Sequence, residues 1–135
     1  MGIKIITDSC SDLPQEILDK YSIGVVPLEI RFDNKSYLDG IDISNEEFYK
    51  KMREHEELPK TASPSPQQFI SKFQGSEDDI VVVTISSGLS STYNSALIAK
   101  EIYEKENKNK KVHIIDSLSA SVGEGLIVLK AAHMA

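Results

Sequence analysis

At 135 residues the chain is long enough for one domain with its own core, and 40% hydrophobic with 27% charged residues is the balance of a folded globular protein, which excludes a disordered or fibrous class. The 15 basic against 21 acidic residues leave a net charge of −6 and form no basic stripe, so nucleic acid is not expected as a partner. Cys10 has no internal disulfide partner, the start lacks the apolar run of a secretion signal, and no stretch nears the ~20 apolar residues of a membrane span, so a cytoplasmic location is expected.

Ile3-Lys4-Ile5-Ile6-Thr7 reads as a strand that runs into Asp8-Ser9-Cys10-Ser11-Asp12, a cluster of capping residues ahead of a helix burying Leu13, Ile17, Leu18 and Tyr21. Ser22-Ile23-Gly24 closes that helix. Val25 to Phe32 reads as one strand with an edge position or bend at Pro27, and Asp33-Asn34-Lys35 as a turn into Ser36-Tyr37-Leu38, a small hairpin appended to the main sheet. Ser44-Asn45-Glu46-Glu47 is a capping box opening a helix with Phe48 and Met52 inward. His55, among Glu54, Glu56 and Glu57, is a solvated helix-end residue with no partner at metal-ligand spacing.

Lys60-Thr61-Ala62-Ser63-Pro64-Ser65-Pro66-Gln67-Gln68 then reads as a loop entering a helix, with Ser65 as N-cap, Pro66 at the first position and Gln68 closing a second capping box. Phe69, Ile70 and Phe73 form the buried face, and Gly75-Ser76 ends the helix. Asp79 to Ile85 is the most apolar stretch, short enough to be a strand buried on both faces at the centre of the sheet. Ser86 to Asn94 leads into a helix expected to bury Tyr93, Leu97, Ile98 and Ile102, and Lys105 to Lys111 is a solvated corner. Val112 to Asp116 is a further strand with His113 packed between apolar neighbours, followed by a hydroxyl-rich loop over 117–125 and an apolar helix from Leu126 to Ala132.

Strands alternating with helices predict an α/β domain with a mainly parallel, doubly wound sheet and helices on both faces. Ligands of such sheets bind outside the carboxyl ends of the strands. Three strands here end in hydroxyl clusters: Asp8, Ser9 and Ser11; Ser86, Ser87, Ser90, Ser91 and Thr92; Asp116, Ser117, Ser119 and Ser121. The Thr61 segment adds a fourth, at a helix start where free N–H groups and the positive helix end favour an anion.

There is no G-x-G-x-x-G and no G-x-x-x-x-G-K-[ST], so a di- or triphosphate finds no cradle, and no G-x-S-x-G elbow for a hydrolase. Hydroxyls and backbone N–H groups, with Lys60 as the nearby cation, suit one small anion such as a carboxylate. No cofactor is expected, and Cys10 reads as a small filler in a crowded loop. Two alternatives stay open: a phosphoryl-transfer or hydrolytic enzyme using Asp8, Asp12 and Asp116 around a metal, and a non-binding regulator.

The motifs Thr7-Asp8-Ser9 with Asp12-Leu13, Thr61-x-x-Pro64-Ser65-Pro66, Ser86-Ser87-x-Leu89-Ser90-x-Thr92-Tyr93-x-Ser95-Ala96, and Asp116-Ser117-x-x-x-Ser121-x-Gly123-x-Gly125 together resemble the amino-terminal domain of the DegV family over essentially the whole chain. The resemblance implies a bacterial fatty-acid-binding protein without chemistry of its own, a carrier of the kind that presents the acyl chain to a separate fatty acid kinase. It implies that Thr61 and Ser90 hold the head group, with Ser63, Ser87 and Ser91 beside them. Three departures stand out: Thr61-Ala62-Ser63-Pro64 moves one hydroxyl by a position, Ser91 replaces a usual glycine and narrows backbone freedom, and the chain stops at Ala135 where family members continue into a second domain. The expectation is therefore a single domain over 1–135, either a fragment or a homodimer that buries Leu126, Ile127, Val128 and Leu129.

Overall fold

The structure is a computed structural model describing residues 2–135; Met1, part of the start read above, lies outside them. In chain order the elements are β1 (Ile3–Asp8), a 3-10 turn at Ser9–Ser11, α1 (Gln15–Lys20), β2 (Gly24–Val26), β3 (Glu29–Phe32), β4 (Lys35–Leu38), α2 (Asn45–Glu54), β5 (Lys60–Ala62), α3 (Pro66–Phe73), β6 (Asp79–Thr84), α4 (Thr92–Glu106), β7 (Val112–Asp116) and α5 (Ser121–Met134).

Four strands form an all-parallel sheet in the order β2-β1-β6-β7. Residues of alternate parity along β1 and β6 feed two separate cores, as the pleat requires. On one face Ile6, Ile80, Val82 and Val112 pack with Phe69, Ile70 and Phe73 of α3 and with Ala96, Ala99 and Tyr103 of α4. On the other, Ile5 and Val83 pack with Leu13, Leu18, Tyr21 and Val128 of α5. Burying Phe69 or Phe73 fully contributes roughly 1.5–3 kcal/mol each, the main stabilisation of α3 against the sheet. The doubly wound architecture expected from the strand and helix alternation is thus the one observed. Both capping boxes form: Ser44 Oγ accepts from Glu47 N–H while Glu47 returns to Ser44 N–H, and Ser65 and Gln68 do the same.

Several local expectations need correction. Val25 to Phe32 is two strands in different sheets, because Pro27 has no N–H to continue the ladder. The hairpin β3-β4 does not extend the main sheet; with β5 it makes a separate antiparallel sheet, order β4-β3-β5, over a small core of Ile30, Phe32 and Ile43 flanked by Phe48 and Met52. Thr61 lies in strand β5, paired with Ile30, and not in a loop. Helix α4 buries Thr92, Ala96, Ala99 and Tyr103, leaving Ile98 and Ile102 exposed, because small residues let the helix approach the sheet closely. His113 is exposed: β7 is an edge strand, and its outward parity faces no helix. Finally, 121–125 is the first turn of α5 and not a loop, despite two glycines.

Candidate ligand-binding site

Strand β1 leads through α1 to β2 on one side, while β6 docks on its other side, so the carboxyl ends of β1 and β6 open onto a topological switch point. A hollow of about 480 Å³ lies there, lined by Cys10 after β1, Ile85, Leu89, Ser90 and Ser91 after β6, Leu28 before β3, and Thr61, Ala62 and Ser63 from the end of β5. Two sheets therefore build it: the parallel sheet supplies the floor and one hydroxyl segment, the antiparallel sheet the other.

Of the residues singled out from sequence, Thr61, Ser63, Ser90 and Ser91 come together in this hollow. Ser87 does not line it; its N–H donates to Asp116 Oδ1 at 3.1 Å and ties the loop after β6 to the end of β7. Ser63 Oγ and Ser91 Oγ lie 2.7 Å apart. Ser90 Oγ lies 2.8 Å from Thr92 Oγ1 and accepts Thr92 N–H at 3.2 Å, which fixes its orientation at the start of α4. Ser91, the N-cap of this 15-residue helix, makes no side-chain capping bond; Ser90 Oγ takes the first N–H of the helix, that of Thr92, in its place, and the positive end of α4 stands beside the hydroxyls. Its φ of −78° and ψ of 5° are open to any residue, so the serine in place of glycine imposes no backbone strain.

The polar lining is uncharged, and Lys60 is not part of it. Leu28, Ile85 and Leu89 add apolar wall, a signal sequence reading missed because each looks like an ordinary strand or loop residue. Cys10 also lines the hollow, where burial, then the charges of Asp8 and Glu124, push its thiol up to about 12. It is a neutral filler there.

The three aspartates of the enzyme alternative are engaged otherwise. Asp8 Oδ1 accepts Cys10 N–H at 3.0 Å and Asp8 Oδ2 accepts Ile85 N–H at 2.7 Å. Asp116 Oδ1 accepts the N–H groups of Ser87 and Leu118, and bonding to Ser87 chiefly holds its carboxyl below the usual range. Asp12 Oδ2 accepts from Ser121 Oγ at 2.7 Å. Among the described residues no group of three His, Cys, Asp or Glu side chains could hold a metal ion, and no helix is long and apolar enough to cross a membrane.

A parallel doubly wound sheet with a hydroxyl-lined, partly apolar hollow at its switch point has the arrangement in which α/β sheets in general receive small ligands. The chain belongs to the DegV family: the profile described as "Uncharacterised protein, DegV family" matches residues 2–135. It is 43% identical over 136 residues to a DegV domain-containing protein of Caldanaerobacter subterraneus, covering 98% of this chain and 47% of that one. Among solved structures it resembles a stearic-acid-binding protein from Eubacterium ventriosum, with a TM-score of 0.92 and 33% identity over 98% of this chain and 47% of the other. The fatty acid kinase B3 protein of Streptococcus pneumoniae, loaded with linoleic acid, follows the same fold with a TM-score of 0.87 and 31% identity over 99% of this chain and 48% of that one. The chain spans about half the length of the curated relatives it matches.

Proposed function

We propose that this chain binds a long-chain fatty acid by its carboxylate in the hollow at the ends of β1, β5 and β6, and carries it without reacting on it. The observation that carries the reading is the convergence of Thr61, from the antiparallel sheet, and Ser90, from the loop that follows the parallel sheet's β6, on one hollow with apolar walls. Ionised oxygens accept hydrogen bonds strongly, so two hydroxyls beside the positive end of α4 are a fitting receptor for a carboxylate, each such bond contributing about 1.5–3 kcal/mol. Ser63 and Ser91 flank these donors and hold the two segments together. Ser87 serves the same site indirectly, by fixing the loop that carries Ser90.

An acyl tail gains ~0.8 kcal/mol per buried CH₂, so most of the affinity comes from covering the tail. The hollow is open, and the matched relatives are about twice as long, which supports a reading in which further chain, or a second copy packed against α5, completes the tail site. Delivery of the bound acid to a fatty acid kinase, in the cytoplasm, is the carrier role favoured by likeness to the linoleic-acid-loaded kinase B3 protein.

The test is to purify the protein, extract it with organic solvent, weigh the extract by mass spectrometry, and then titrate the stripped protein with oleate. Recovery of an acyl chain or uptake of oleate supports the proposal; absence of both from folded protein overturns it.

A further inference from the structure

The hydroxyls sit above a floor that is set by a buried pair of acids. Asp8, at the end of β1, is fully buried, and its two oxygens accept the N–H groups of Cys10 and Ile85, both residues of the hollow's lining. Facing Asp8 is Glu124, from the first turn of α5, also fully buried. Glu124 Oε1 accepts from Thr7 Oγ1 at 3.2 Å, while Oε2 meets no donor among the described residues. Two ionised carboxylates in such a place would repel each other with little solvent to screen them. A proton on Glu124 removes both difficulties, because it leaves one charge and gives Oε2 a bond to donate to Asp8.

The helix is brought there by close backbone packing. A Cβ on Gly125 would stand 2.6 Å from Ser11 O, so α5 touches the turn after β1 as only glycine permits, and Ser121 Oγ donates to Asp12 Oδ2 nearby. The titratable groups facing the pair are Asp12 and Cys10, both on that turn, with Asp39 further out beside Cys10; none is cationic.

We propose that Asp8 and Glu124, sharing one proton, are the positioning residues of the head-group site: Asp8 fixes the Cys10 and Ile85 backbone that forms its floor, and Glu124 holds Asp8 in place from α5. The nature of the acid received on that floor rests on the fatty-acid reading above. Burial, then the bond and charge of Asp8, push the Glu124 carboxyl up to about 9, so the proton is present at neutral pH. Its loss to solvent in the alkaline range places a second negative charge beneath a site meant for a carboxylate and drives the pair apart. Glu124→Gln keeps a donor toward Asp8 and an acceptor for Thr7, and cannot ionise.

The test has a ligand-free and a ligand-bound part. In the ligand-free protein, the 13C carboxyl signals of Asp8 and Glu124 and the amide signals of Cys10 and Ile85 are followed with pH by NMR. Glu124 is expected to be protonated at neutral pH, and all four signals to move together in the alkaline range. With oleate, affinity is expected to fall about tenfold or more between neutral pH and about pH 10 in the wild type, and to stay within about threefold in Glu124→Gln. An ionised Glu124 at neutral pH, Cys10 and Ile85 amides that ignore its titration, or a parallel fall in both proteins overturns the proposal. Absence of oleate uptake by the wild type at neutral pH defeats the functional reading instead, while the ligand-free titration still decides the anchoring.

Discussion

Ser63 Oγ lies 2.7 Å from Ser91 Oγ, so the segment leaving β5 is clasped to the N-cap residue of α4. The clasp joins the antiparallel sheet to the parallel one at the mouth of the hollow and brings Thr61 and Ser90, each close by in sequence, into the same lining.

If those two hydroxyls hold the acid, Thr61→Val and Ser90→Ala each weaken oleate binding by about tenfold or more, the loss of one charge-assisted hydrogen bond. Val keeps the shape of Thr61, which is exposed, so that variant keeps its melting temperature. Ser90→Ala also loses its bonds to Thr92 and gives up about 1 kcal/mol of stability. Calorimetric titration beside thermal denaturation checks both; wild-type affinity in both variants moves the head-group site elsewhere.

The two glycines of α5 predict opposite outcomes. Gly125→Ala drives a methyl into Ser11 O, a backbone atom that can yield only if the helix shifts, and costs about 1–3 kcal/mol. At Gly123 the obstacle is the Ser119 hydroxyl, which can rotate, so Gly123→Ala is neutral or gains up to about 1 kcal/mol from helix propensity. Urea midpoints of the two variants distinguish them; equal destabilisation would contradict the close packing of α5 on the turn after β1.

Stability should rise on acidification from the alkaline range. Glu124 has its carboxyl raised in the folded state, to about 9 against an ordinary 4.5, so between these values the folded protein holds a proton that the unfolded chain has released. The stability contributed is full below the unfolded value and is lost as pH rises through the folded one. Asp8 is raised too, by burial, and adds in the same direction. Glu29, Glu47 and Asp116 are lowered by hydrogen bonding and oppose it only as their own range is approached from above; all three are open to solvent and contribute little. Between about pH 5 and 8, below the range in which the Cys10 thiol and the Tyr103 phenol, both raised by burial, add a slope of the same sign, melting temperatures should therefore fall with rising pH in the wild type and fall less steeply in Glu124→Gln. An equally steep slope between about pH 5 and 8 in both proteins contradicts this assignment.

The Cys10 thiol, pushed up to about 12, is protonated at neutral pH and should react with iodoacetamide far more slowly than a free thiol of pKa ≈ 8.5. Unfolding in urea restores the ordinary rate. Rapid alkylation of the native protein would show an activated cysteine in the hollow.

What sequence could disclose followed the reach of each interaction. The capping boxes Ser44/Glu47 and Ser65/Gln68 close within four residues and were legible. So was the doubly wound class, carried by runs such as Asp79 to Thr84. Helix α4 has apolar residues around most of its circumference, so its period could not choose a face; closeness to the sheet selected Ala96 and Ala99 over Ile98 and Ile102. Glu124 looked like a loop residue among glycines, and its burial depends on Asp8 at the other end of the chain. Thr61 and Ser90 were found as hydroxyls at element ends, but the pairing of β5 with β3 that brings Thr61 to the hollow is non-local and left no local mark. Leu28 and Ile85 have the same origin: their place in the lining comes from the meeting of two sheets.

The claim on which the rest depends is that uncharged hydroxyls at this rim receive a single acid group. A crystal structure of the protein soaked with oleate measures it most directly. Carboxylate oxygens are expected within about 3 Å of Thr61 Oγ1 and Ser90 Oγ, with the tail leaving along Leu28, Ile85 and Leu89. Oleate bound with its carboxylate remote from both hydroxyls, in a protein that binds it stoichiometrically, would contradict it.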